Sequence, residues 1–375
     1  MNLFGDDEDI EIADDEDVSG PQAEGLLPPR QSSVLYGHED IERLLCALVS
    51  GKRVPGALIF AGQEGIGKET LAFRFARHLL EKGGGEDDTG ALFGDALPKE
   101  APHSLYTDPE ARSFRQVASG GHPDLIHITT PEDKNIIPVE ECRKIAPFLR
   151  MRPSYGGYRV AIVDAAETMN RSAQNALLKI LEEPPENAIL ILITNRPGLL
   201  LPTIRSRCQM IHIKPLPYEA FAKILDLSSD TEQPGPEQKA LLYDMTGGSP
   251  GLAIRYAQDN LGELLKDFVA VIECYPDIDW VRAHALAEFL SGVAQGNAYY
   301  ELQDILIRLM HREITVKARE GNHAGMLSAL VKSQDLENLC AICENLEAHF
   351  ARANGLNLDK RQAVLSPNRS KPGAI

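Results

Sequence analysis

Apolar and polar positions fall into two regimes along this chain. In the first, residues 40–48 repeat apolar side chains at helical spacing. Residues 57–61 form a short unbroken apolar run, and 68–80 return to helical spacing directly behind a glycine-rich loop. The alternation continues with a strand at 124–127, a helix at 139–149, a strand at 159–163, a helix at 172–182 and a strand at 188–194. Strands alternating with helices predict a parallel sheet covered on both faces. Residues 81–121, which open on Gly83, Gly84 and Gly85, read as an irregular insertion.

The second regime begins after Lys214-Pro215-Leu216-Pro217, where strand patterning stops. Residues 218–227, 236–245 and 252–259 read as three short helices, and 264–354 as a longer helical bundle with stripes such as Tyr300, Leu302, Ile305, Leu306, Leu309 and Met310. The predicted organisation is an arm at 1–30, an α/β domain at 31–215, a small helical lid at 216–260, an all-α domain at 261–358 and a frayed tail at 359–375.

Composition changes this picture mainly at the amino terminus. The net charge is −17, and nine acids between Asp6 and Asp17 account for more than half of it. With Gly20, Pro21, Gly25, Pro28 and Pro29, that block predicts a disordered arm, either a solubilising tail or a partner-binding peptide anchored by Leu3 and Phe4. A mildly acidic remainder excludes a protein that coats DNA by itself, since such proteins cluster Lys and Arg against phosphates. Apolar runs are far shorter than a bilayer span and the amino terminus is not basic, which predicts a cytoplasmic protein without membrane contact. Six scattered cysteines predict reduced thiols rather than a disulfide framework. Cys340 and Cys343 have C-x-x-C spacing, but they share a helical stripe with Leu336, Leu339, Leu346 and Phe350 and are read as core.

The chemistry is concentrated in one loop. Gly62-Gln63-Glu64-Gly65-Ile66-Gly67-Lys68 matches G-x-x-x-x-G-K, in which backbone N–H groups cradle phosphates and the lysine reaches their outer oxygens. The next position is Glu69, where a hydroxyl ordinarily holds Mg²⁺. Thr70 follows, but one residue along a helix turns a side chain by roughly 100°. A carboxylate beside a triphosphate is a like-charge neighbour. A second element agrees. Residues 160–163 form an apolar strand ending in Asp164, suited to Mg²⁺, but Ala165 stands where an ATPase needs a glutamate to polarise water. Glu167 is read as solvent-facing.

Residues 175–185 (Asn-Ala-Leu-Leu-Lys-Ile-Leu-Glu-Glu-Pro-Pro) and 201–208, which end in Ser206-Arg207-Cys208, closely resemble the clamp-loader branch of AAA+ proteins. Residues 164–170, 122–125 (His-Pro-Asp-Leu) and 248–251 (Gly-Ser-Pro-Gly) are similar in particular to the delta-prime subunits of bacterial DNA polymerase III. The motifs span residues 34–260. The resemblance implies an AAA+ P-loop NTPase-type parallel sheet, a helical lid and a helical collar. It also implies a hetero-pentamer with tau/gamma-type ATPase and delta-type subunits that acts on a sliding clamp and primed DNA at the nucleoid-associated replisome.

In that family the S-R-C arginine, here Arg207, enters the ATP site of the adjacent subunit as an arginine finger, a role suited to a permanently charged planar fork of donors. Thr194 and Asn195 fall where the family senses the γ-phosphate. Gly251 stands where hydrolysing relatives carry a second sensing arginine, with Arg255 one turn further on. The family's zinc-binding cysteines are missing between loop and acidic strand, where Cys142 is alone, so no metal site is expected there. The expectation is therefore a subunit with no autonomous enzymatic activity and no tightly bound cofactor. Gly62, Gly65, Gly67, Lys68, Glu69, Thr70 and Asp164 form a degenerate nucleotide loop, and the ATP and Mg²⁺ contacted are the neighbour's. The competing reading is a self-sufficient ATPase, a hydrolysing clamp-loader subunit or another AAA+ remodeller, in which Glu69, Thr70 and Glu167 take over the missing roles.

Overall fold

A computed structural model describes residues 26–51, 54–81, 104–131, 134–228, 234–258, 267, 270–271, 279–291, 298–320, 327–356 and 358–360. The acidic block, most of the 81–121 insertion and the tail beyond 360 lie outside them.

Five strands form one parallel sheet in the order β2-β3-β4-β1-β5. They are β1 (Ala57–Ala61), β2 (Leu125–Ile128), β3 (Arg159–Val163), β4 (Ala188–Thr194) and β5 (Gln209–His212). Every residue of β1, β3 and β4 is buried, as expected of central strands covered on both faces. Side chains still alternate. Leu58, Phe60, Val160, Ile162, Ile189 and Ile191 pack with α2 (Lys68–Glu81), whereas Ile59, Ala161, Val163, Leu190 and Leu192 face α4 (Val139–Arg150) and α5 (Arg171–Glu182). The period of two decides which helix each residue meets.

Two elements depart from the sequence expectation. The segment read as an irregular insertion contains a helix, α3 (Arg112–Ala118), which buries Phe114 and Val117. A fifth strand, β5, follows where patterning predicted none; it is four residues long with only Ile211 buried, and edge pairing to β1 rather than apolar content defines it.

Three further helices, α7 (Tyr218–Leu227), α8 (Pro236–Thr246) and α9 (Pro250–Gln258), precede α10 (Trp280–Ser291), α11 (Ala298–Glu320), α12 (Ser328–Ser333) and α13 (Leu336–Gly355). The earlier α1 (Glu39–Ser50) and the short α6 (Pro202–Arg205) complete the α/β part. One apolar cluster runs from Leu216 and Phe221 through Tyr256, Ile305 and Leu309 to Leu339 and Cys343, joining α7–α9 to the later helices. Of the predicted stripes, Tyr300 and Leu336 are exposed at 44% and 38% and lie outside this core. No described helix is long and apolar enough to cross a membrane.

Candidate functional site

The glycine-rich loop follows the carboxyl end of β1, between β4 and β5, and leads directly into α2. The Gly62 amide donates to Thr194 O of β4 at 3.2 Å, and a Cβ at Gly62 would stand 2.4 Å from the Ile213 carbonyl. Gly65 and Gly67 have φ of +73° and +92°, a region side chains rarely enter. Glycine is therefore required at Gly62 by the close Ile213 carbonyl and favoured at Gly65 and Gly67 by backbone conformation.

The lysine of the loop is already engaged. Lys68 Nζ donates to the Gln63 carbonyl inside the loop and to Asn195 Oδ1 at 2.7 Å. Burial pushes its pKa down to about 8, opposed by Asp164, Glu167 and Glu64. Asn195 is thus the partner of Lys68, a contact the sequence reading did not assign.

Glu69 lies in the first turn of α2, partly buried. Burial and the charge of Asp164 raise its carboxyl to about 7, with Arg30 acting in the opposite direction. His127 Nε2 approaches Glu69 Oε1 at 3.6 Å, but burial and Arg30 hold that imidazole down to about 4, so the two do not form a charge pair at neutral pH. Arg30 Nη2 lies 3.0 Å from His127 Nδ1, which makes Nδ1 the acceptor. Buried arginines of α2 hold residues 30–33 in place: Arg77 donates to the carbonyls of Arg30 and Ser32, and Arg74 to that of Ser33 and to Glu42. His38, 4% exposed, donates from Nε2 to Ile66 O at 2.7 Å and braces the loop from the side of α1. Neither arginine nor His38 stood out in the sequence, because their partners are backbone carbonyls.

The acidic strand ends as predicted, with Asp164 partly buried and its pKa raised by burial. Ala165 has φ 50° and ψ 47°, a left-handed conformation that costs a non-glycine residue roughly 1–2 kcal/mol. Glu167 is not solvent-facing, contrary to expectation. Its Oε1 accepts from the Asn195 amide at 3.2 Å, so this carboxylate holds the end of β4 and the residue that partners Lys68.

The lid closes over the same loop. The Gly251 amide donates to Gly65 O at 2.9 Å, Ser249 Oγ donates to Glu64 O at 2.7 Å, and Gln63 Nε2 donates to Thr246 O. A Cβ at Gly251 would stand 2.8 Å from Gly65 Cα. Arg255, one turn on, does face the loop, but it pairs with Glu64 at 2.9 Å and with Glu301 of α11 at 3.1 Å. The residues present do not fit a Mg²⁺-nucleotide well. The lysine has internal partners, a carboxyl replaces the metal-binding hydroxyl, and position 251 has no room for an arginine.

Arg207 lies elsewhere. It follows α6 and precedes β5, whose Gln209 pairs with Leu58 of β1 while His212 pairs with Ala61. Arg207 therefore sits at the amino end of the sheet and the phosphate loop at the carboxyl end, roughly 20 Å apart by strand rise. Residues 182–185 share the amino end, since a Cβ on Gly56 would meet Pro184 at 2.4 Å. Arg207 is exposed, with Nη2 3.0 Å from Glu182 Oε1 and Nη1 donating to Thr203 O at 3.1 Å. Ser206 Oγ donates to Thr203 O at 3.2 Å, and Cys208 is buried, which pushes its thiol up to about 12. Thr70 is partly buried on α2.

The His-Pro-Asp-Leu segment is structural. Asp124, 1% exposed, pairs with Arg159 at 3.1 Å and accepts a bifurcated hydrogen bond from the Ser154 amide, 2.9 Å to each carboxylate oxygen. Cys142 is buried, its thiol raised to about 11 by burial, and lies 3.5 Å from Met169 Sδ.

Residues 37–217 match the family described as DNA polymerase III, delta subunit. DNA polymerase III subunit delta' of Pseudomonas aeruginosa is 33% identical over 199 residues, 53% of this chain and 55% of that relative. The subunit of the same name from Escherichia coli is 29% identical over 244 residues, 64% of this chain and 66% of the relative. Subunit tau of Escherichia coli is 30% identical over 213 residues, 57% of this chain and 30% of its own length. The chain thus spans about half the length of the first of these relatives.

Proposed function

We propose that this chain, whose residues 37–217 match the DNA polymerase III delta-subunit family, is a clamp-loader subunit of the non-hydrolysing, delta-prime type. It offers Arg207 to the ATP site of an adjacent clamp-loader subunit, and so helps load a sliding clamp onto primed DNA. The observation that carries the reading is the position of Arg207, exposed at the end of the sheet opposite to the chain's own loop. A guanidinium cannot span a sheet, so any triphosphate it touches belongs to another chain. Its fork of donors would lend charge to a γ-phosphate without owning the site.

The state of the chain's own loop supports the other half. Lys68 is bonded to Gln63 and Asn195, Glu69 brings an acid to the metal position, Ala165 supplies no base, and Gly251 leaves no space for a sensing arginine. The first two features disfavour nucleotide binding, and the last two disfavour hydrolysis. Titration of the isolated chain with a fluorescent ATP analogue in Mg²⁺ tests the reading, with no micromolar binding and no turnover expected. Tight binding with steady hydrolysis would establish a self-sufficient ATPase instead.

A further inference from the structure

Two helices outside the α/β part bring together side chains that the proposed role does not use. Cys343 and Glu347 are four residues apart on α13 and so project from one face of it, and His311 of α11 meets them from across the helix pair. His311 Nε2 lies 2.7 Å from Glu347 Oε1 and 4.0 Å from Cys343 Sγ, and all three donor atoms fall within 4.8 Å of one another. We propose that His311, Cys343 and Glu347 form a binding site for one borderline-soft divalent cation of the Zn²⁺ type, which ties α11 to α13.

The first argument is hydrogen-bond inventory. A single ring nitrogen, His311 Nε2, faces both the thiol and the carboxylate, and it carries either one hydrogen or one lone pair. It cannot serve both partners equally. A cation among the three atoms would take a lone pair from each.

The second argument is geometry. Bonds of about 2.0 Å to nitrogen and oxygen and about 2.3 Å to sulfur, arranged tetrahedrally, put donor atoms roughly 3.3–3.6 Å apart. The present separations bracket that range. The imidazole and carboxylate are 60% and 44% exposed and can turn by about 1 Å without moving either helix. Cys343, by contrast, is 3% exposed and fixed in the core that joins the helices, so it would be the rigid ligand.

The third argument is the donor set. One thiolate, one imidazole and one carboxylate suit Zn²⁺ better than Mg²⁺ or Ca²⁺, which prefer oxygen shells. Solvent supplies the fourth position, because the outer two ligands are exposed. The C-x-x-C spacing that drew attention to Cys340 is incidental to the site. Cys343 faces His311, whereas Cys340 lies outside the group of three.

The test uses the untagged full-length chain, reduced and stripped of metal, titrated with Co²⁺. One Co²⁺ per chain is expected, with thiolate-to-cobalt charge-transfer absorption and strong visible bands of a tetrahedral ion, both bleached by Zn²⁺. Cys343→Ser is expected to abolish the charge-transfer band, and Cys340→Ser to leave it unchanged. His311→Gln and Glu347→Gln each weaken binding by at least about tenfold. Melting of the metal-free variants reports whether they remain folded, and Zn²⁺ raises the melting temperature of the parent chain but not of His311→Gln. Absence of the band in the parent chain, or its survival in Cys343→Ser, overturns the site and leaves a surface His–Glu pair over a core cysteine.

Discussion

The Gly251 amide donates to the Gly65 carbonyl at 2.9 Å, so the first turn of a lid helix rests directly on the crest of the phosphate loop. A side chain at 251 would meet Gly65 Cα at 2.8 Å and its carbonyl at 3.0 Å, both backbone atoms that cannot swing aside. Gly251→Ala is therefore expected to lower unfolding free energy by about 1–3 kcal/mol, the usual cost of forcing atoms into a filled contact. It should also speed amide exchange at Gly251. Chemical denaturation and hydrogen exchange check both, and a neutral substitution would mean that lid and loop do not stay in contact in solution.

Glu69 gives the chain a pH dependence of definite sign. Its pKa rises from 4.5 to about 7 on folding, through burial and Asp164. The folded state thus binds more protons than the unfolded state between those values, and stability falls as pH rises from about 4.5 to 7. Glu69→Gln removes the penalty. The variant is expected to be more stable than the parent above pH 7, by about 1–2 kcal/mol once solvent screening of a side chain 32% exposed is allowed for. The difference should vanish near pH 4, and denaturation at several pH values measures it. An advantage that grows on acidification would contradict the burial argument.

Much of this architecture was legible in the sequence because its signals are local. The runs at 57–61, 159–163 and 188–194 are the observed strands to the residue, since a short, mostly apolar strand needs no partner to be recognised. The loop from Gly62 to Lys68 and the triplet at 206–208 were equally visible. What escaped depends on tertiary placement. β5 exists because it pairs with β1, although three of its four residues, Gln209, Met210 and His212, are not fully buried. Glu167 looks like a surface acid until the fold sets the Asn195 amide beside it. His38, Arg74 and Arg77 are polar residues at core positions, intelligible only with the backbone carbonyls they meet.

The Asp124–Arg159 pair shows the same dependence and carries a stability prediction. Both side chains are under 10% exposed, and both Asp124 oxygens share the Ser154 N–H. Asp124→Ala takes the carboxylate from the buried Arg159 guanidinium, leaving it the Arg152 and Phe148 carbonyls, and removes the acceptor of the Ser154 amide, so a loss of about 3 kcal/mol is expected. Replacing a surface acid such as Glu110, paired with Arg115 at 3.6 Å in the open, should cost no more than about 0.5 kcal/mol. Equal effects in thermal or urea denaturation would show that the inner pair is not desolvated in solution.

Arg207 and Glu182 make the opposite case, an ion pair exposed to solvent, where the proposed finger role can be tested apart from folding. Their side chains are 37% and 53% exposed, so the pair stabilises the subunit by less than about 1 kcal/mol, and Arg207→Ala should melt close to the parent. If the proposed role holds, the same variant in an assembly reconstituted with clamp-loader partners lowers DNA-stimulated ATP hydrolysis by the share of the one site served by Arg207. An arginine finger is worth roughly 10³–10⁵ at the site it serves. Arg207→Lys keeps the charge but not the planar fork and should recover little. Glu182→Gln only releases the guanidinium and should leave hydrolysis near the parent value. Unchanged hydrolysis in Arg207→Ala, with assembly intact, would remove the finger role, because nothing at this chain's own loop lies within the reach of that side chain.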